Sequence, residues 1–133
     1  MPTLPQTSDT PLVRTDFSDA AAWVALVEAI STPSDDGFHA RVSIVDDLAF
    51  AGASPEDLAA AAASDHAVLF VADRTTLGLA EMPLLCLAVG GREGAFRVAA
   101  AALWGVENNL SIANMDFAEF AEAADEDGVF RGF

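Results

Sequence analysis

Two short apolar runs, "AVLFVAD" at 67–73 and "PLLCLAV" at 83–89, constrain the fold more than any other feature of the chain. Both are too short for an ordinary helix, and both are rich in branched side chains. Such runs read as strands covered on both faces. The first ends on Asp73 and reads as the central strand of a sheet. "LVRTDF" alternates apolar and polar residues and predicts a strand over 12–16, "ARVSIVD" predicts another over 40–46, and "AFRVA" after the turn "GGREG" predicts a short edge strand over 95–99.

Helices fill the intervals. Trp23, Leu26, Val27 and Ile30 recur at helical spacing, with Ser18 or Asp16 available as the cap and "STPSDDG" as the stop. Ser54 before Pro55, with Glu56 and Asp57 in the first turn, predicts a second helix running to about residue 63, because proline suits the first helical position and acids suit the positive end of the dipole. "DDLAFAG" reads as a turn and "RTTLGLAEM" as a link. Two helices close the chain, "AAALWGVENNL" and "MDFAEFAEAAD". In the last, Phe117, Phe120, Ala121 and Ala124 form one stripe while Asp116, Glu119, Glu122 and Glu126 lie largely elsewhere.

The expectation is an α/β protein: a single compact domain over 11–133, preceded by a flexible lead-in over 1–10. Its mixed sheet has about five strands with helices packed on it, the first three parallel through right-handed crossovers and the last two a hairpin.

At 133 residues and 53% hydrophobic content the chain can bury a core without disulfides, and its one cysteine, Cys86, permits none internally. Charge is lopsided: 21 acids oppose six arginines, lysine is absent, and the net charge is −15. A field of that sign repels phosphate backbones and anionic headgroups, so nucleic acid and membrane surfaces are disfavoured partners. A protein partner, particularly a basic one, fits it. The amino-terminal sequence lacks a basic stretch followed by an apolar one, and no apolar run approaches a membrane span, so a cytoplasmic location is expected.

Complete catalytic motifs are missing. No glycine-rich loop ends in Lys-Ser or Lys-Thr, no G-x-G-x-x-G follows a strand, and no G-x-S-x-G elbow is present, so Ser64, Asp65 and His66 read as a loop. Cys86, His39 and His66 are too few to close a structural zinc site, and Cys86 reads as a small core residue.

The strand order does gather acids. With the first three strands parallel, Asp16, Asp46, Asp47 and Asp73 fall at carboxyl ends, where open α/β sheets place their sites. Four such carboxylates suit Mg²⁺, with Arg74 as the nearest cation to neutralise a phosphoryl group. Asp16, and Asp46 with Asp47, also stand where helices and turns need caps.

Two features lie outside that edge. The tail "DGVFRGF" is too apolar to be freely solvated: it folds back on the core, or it presents Phe130 and Phe133 as an aromatic hook. In "ENNLSIANMDF", Asn109 is placed to end one helix and Asn114 to cap the next with Asp116 in its first turn. Glu107 and Asn108 are left without a structural duty.

The segments "LVRTDFSD" with Trp23, "VADRTTL", and above all "LWGVENNLSIANMDFAEF" followed by "DGVFRGF" resemble a domain-of-unknown-function family of small acidic actinobacterial proteins. The resemblance spans nearly the whole chain. It implies a bacterial, cytoplasmic, single-domain protein, and it implies no activity and no catalytic residues.

The leading functional expectation is therefore a non-enzymatic protein-interaction module of inhibitor or immunity type, needing no cofactor. Its surface would comprise Glu107, Asn108, Glu119, Glu122, Glu126, Phe130 and Phe133. The alternative is a Mg²⁺-dependent enzyme acting on a phosphorylated small molecule through Asp16, Asp46, Asp47 and Asp73. Oligomeric state is not set by the sequence.

Overall fold

The computed structural model describes residues 3–62, 66–89, 94–111 and 115–132. The expectations for Ser64, Asp65, Asn114 and Phe133, and for most of the "GGREG" turn, lie outside the described residues. The chain runs β1 (Thr10–Arg14), α1 (Ala20–Ser31), β2 (Val42–Val45), α2 (Pro55–Ala61), β3 (Val68–Ala72), α3 (Arg74–Gly78), β4 (Leu84–Ala88), β5 (Ala95–Val98), α4 (Leu103–Ser111), α5 (Phe117–Ala123) and β6 (Val129–Phe130). Single 3-10 turns lie at Leu48–Phe50 and Ala100–Ala102.

Among the described residues six strands form one mixed sheet in the order β2-β1-β3-β4-β5-β6. As the sequence predicts, the first three are parallel and β4 and β5 pair antiparallel. The expected edge strand, β5, is internal instead. The tail adds β6 beside it, with Arg97 opposite Val129 and Val98 opposite Phe130.

The pleat explains how the two apolar runs are covered. Along one row of the register Leu12 faces Phe70, Phe70 faces Cys86 and Cys86 faces Phe96, and all four belong to one core layer. Their neighbours Val13, Leu69, Val71 and Leu87 point the other way, into a second layer. The first layer takes Trp23, Leu26 and Ile30 from α1, Leu103 and Val106 from α4, and Phe117 and Phe120 from α5. The second takes Leu58 from α2, Phe50 from the 3-10 turn, and Leu4. Residues 3–9, read as a lead-in, are thus anchored: Leu4 is buried and its N–H donates to the Ala61 carbonyl at 2.9 Å.

Local chemistry fixes the helix starts. Ser54 and Asp57 exchange hydrogen bonds as a capping box on α2, as the Ser-Pro-Glu-Asp pattern predicts. The cap of α1 is Asp19, which accepts from the Ala22 N–H, rather than Ser18 or Asp16. Asp116 is itself the cap of α5 and not a first-turn residue, and its box partner is Glu119. Asn109 does not end α4, which continues to Ser111; its amide donates to the Gly105 carbonyl, one turn back. The "RTTLG" link is a helix, α3, because Asp73 and Thr76 form a box at its start.

The tail folds back. Phe130 meets Phe120 edge to face at 5.2 Å, and Phe120 in turn lies 6.3 Å from Phe96. With Phe130 only 2% exposed, the aromatic hook is corrected to a core strand at this residue: joining the sheet gives its backbone partners and its ring a dry site. Outside it, Arg131 binds Glu81, Asp125 and Asp127 together, pinning the tail to the turn before β4. These bonds hold the carboxyls of Glu81 and Asp127 below their ordinary pKa.

Candidate functional site

At the carboxyl ends of β1, β2 and β3 the expected aspartates are present but separately engaged. Asp16 accepts from the Ser18 N–H and hydroxyl in a local turn. Asp46 takes the guanidinium of Arg14 at 3.3 Å. That guanidinium is enclosed between the rings of Phe17 and Trp23, 4.4 and 4.8 Å from their centroids, so it is a packed structural cation. Asp47 caps the 3-10 turn through the Ala49 N–H.

Asp73 has the heaviest duty. Its two oxygens receive both terminal nitrogens of Arg97, at 3.0 and 2.8 Å, while it also accepts the Thr76 N–H and hydroxyl. Burial works to raise its pKa, but the bonds from Arg97 and Thr76 outweigh it and hold the carboxyl below the usual aspartate value. Arg74, expected to assist these acids, is exposed on α3 and makes no ion pair among the described residues. Among the described residues no three His, Cys, Asp or Glu side chains group closely enough to hold a metal ion.

A large opening lies at the opposite edge. A cleft of about 760 Å³ is lined by Ser8, Asp9 and Thr10 leading into β1, Arg41 before β2, His66, Ala67 and Val68 at the start of β3, and Glu107, Asn108 and Leu110 of α4. Parallel strands bring their amino ends to one edge as surely as their carboxyl ends to the other. The volume falls in the usual range for small-molecule sites.

Three side chains, Glu107, Asn108 and His66, make the hydrogen bonds that shape this cleft. Glu107 is 3% exposed, and its carboxylate accepts the Arg41 N–H, tying α4 to the start of β2. The Asn108 amide donates to the carbonyls of Trp104 and His39, across the same junction. His66 places Nε2 2.9 Å from the Thr7 carbonyl, which only accepts, so the ring donates from Nε2 in that bond. The two side chains left over by the sequence are therefore structural and also line the cleft. Glu107 is corrected from an outward recognition residue to a buried one, since its carboxylate satisfies a backbone N–H at the mouth of β2.

The remaining expected surface residues, Glu119, Glu122 and Glu126, are exposed, as is Glu119's box partner Asp116. His66 and Arg41 were missed as site residues. A sixty-six-residue separation joins Arg41 to Glu107, and nothing local in the sequence signals it.

A family model described as "Domain of unknown function (DUF6924)" matches residues 9–133. The chain belongs to that family. The DUF6924 match takes in both sheet edges and all the residues of the cleft except Ser8. No curated protein and no solved structure matches the chain. Among the described residues of this DUF6924 domain, no helix is long and apolar enough to cross a membrane.

Proposed function

We propose that the domain is a non-enzymatic protein-interaction module that docks a basic partner along the free edge of β2. The observation that carries this reading is the exposure of Phe38, Ile44 and Leu48, at 53%, 41% and 71%, along the chain segment that forms that edge. Ile44 stands on the edge strand itself, while Phe38, stacked on Trp104, and Leu48 lie just before and after it; exposed apolar side chains beside an edge strand are a site for another chain, because the strand also offers unpaired backbone donors and acceptors. Asp35, Asp36, Asp46 and Asp47 flank these side chains.

Charge supports the basic partner. The net charge of −15 already counts all six arginines, and Arg14, Arg97 and Arg131 are held in internal ion pairs, so exposed acids far outnumber the cations left to face a partner. Such a field speeds encounter with a cation-rich surface and rejects acidic competitors. The reading calls for no cofactor.

The test is affinity capture from the native host with the wild-type chain and with Ile44→Glu and Leu48→Glu, followed by binding of the purified partner across a salt series. One basic protein is expected, released by rising salt and held at least tenfold more weakly by both variants. Capture of nothing but the chain itself, or a partner that binds Ile44→Glu as well as wild type, would overturn the reading.

A further inference from the structure

The cleft at the amino ends of β1 and β3 carries an inference that does not depend on the β2 edge. Besides the buried Glu107, two charged residues of opposite sign, Asp9 and Arg41, line it. Both residues are exposed, and they form no ion pair with each other. Asp9 uses its backbone to accept from the Thr7 hydroxyl and to donate to the Ser43 hydroxyl, which leaves its carboxylate without a bond among the described residues. The guanidinium of Arg41 is likewise without a bonded partner among them, in a chain with acids to spare.

The charges select a ligand class. A simple anion attracted to Arg41 would meet Asp9 and the buried carboxylate of Glu107, within an already negative field. A simple cation would meet Arg41. A divalent metal lacks a grouping of three ligands among the described residues. A molecule bearing both charges satisfies both walls at once: a planar guanidinium accepts a carboxylate in a two-bond fork, and a carboxylate accepts an ammonium. Val68 and Leu110 give the same cleft an apolar wall.

We infer that this cleft binds a small zwitterion with an apolar side chain, of the free α-amino-acid class. Arg41 holds its carboxylate, Asp9 its ammonium, and the wall of Val68 and Leu110 its side chain.

Isothermal titration with L-leucine and L-phenylalanine at millimolar concentration tests this, beside their N-acetyl and carboxamide forms, each of which lacks one charge. Free amino acid is expected to bind, with about a tenfold loss for either blocked form, equivalent to about 1.4 kcal/mol. Arg41→Ala should abolish the discrimination against the carboxamide, and Asp9→Asn that against the acetylated form. Both positions are exposed, so the variants fold. No binding of either free amino acid, or binding that neither substitution weakens, overturns the inference. Capture at the β2 edge is scored separately, by Ile44→Glu and Leu48→Glu, so failure of the amino-acid titrations with the wild-type chain leaves that reading standing.

Discussion

Replacing Asp73 by alanine separates a structural role from a ligand role at the carboxyl edge of the sheet. The substitution removes the cap of α3 and the two-bond pair with Arg97, whose side chains are 27% and 23% exposed. An N-cap contributes about 1 kcal/mol. The ion pair lies between a surface pair, worth under about 1 kcal/mol, and a buried one, whose breaking costs about 3 to 5 kcal/mol. The Pro83 carbonyl still receives Arg97 after the change, which favours the lower half of that interval.

A total near 2 to 3 kcal/mol follows, and for a chain of this length it lowers Tm by about 7 to 11 °C. The pH dependence has a definite sign. Asp73 has a folded pKa below its unfolded one, so its contribution is complete above the unfolded value and disappears as pH falls through the folded value. Calorimetric scans of wild type and Asp73→Ala at neutral pH should therefore differ by that interval. The two curves should converge as pH is lowered into the range where the native carboxyl is protonated. Equal Tm values at neutral pH, or a gap that persists unchanged into acid, would refute this account of the residue.

Two further outcomes follow from the core. Phe120→Ala empties a site 1% exposed and touching both Phe96 and Phe130, and should cost about 3 to 5 kcal/mol in urea-unfolding experiments. Cys86 is fully buried in β4 and burial pushes its thiol pKa up, so a thiol reagent should label it only at the rate of unfolding, with labelling accelerating in step with urea.

Much of the fold was legible where a residue pattern repeats. The runs around Val68 and Leu84 announced buried strands because both faces needed apolar side chains, and Ser54-Pro55-Glu56-Asp57 announced a helix because each residue meets a distinct requirement of its first turn. Elements too short to repeat were not legible. α3 has five residues and β6 two, and no period can be read over either. The signal for α3 was present as Asp73 three residues before Thr76, a box closed by threonine instead of glutamate. An aspartate at a strand end suits a ligand role as well as a cap, and the residue type alone does not choose between them.

The site was less legible still. Its members come from four separate stretches of chain, and Glu107 declares its role only when α4 lies across the start of β2. Attention to carboxyl ends, sound for crossover sheets in general, pointed away from the edge where this one is open.

The position of β6 in the sheet bears on how the chain is made. Phe130 completes the packing of Phe120 and Phe96, and Val129 closes the side of β5, yet both are synthesised after every other strand. A growing chain that has released only the first five strands presents the open outer edge of β5, and the side of Phe120 that Phe130 would cover, to its surroundings. Final closure of this sheet therefore waits for the ribosome to release Phe130, and during that interval the nascent chain is most exposed to association with its neighbours.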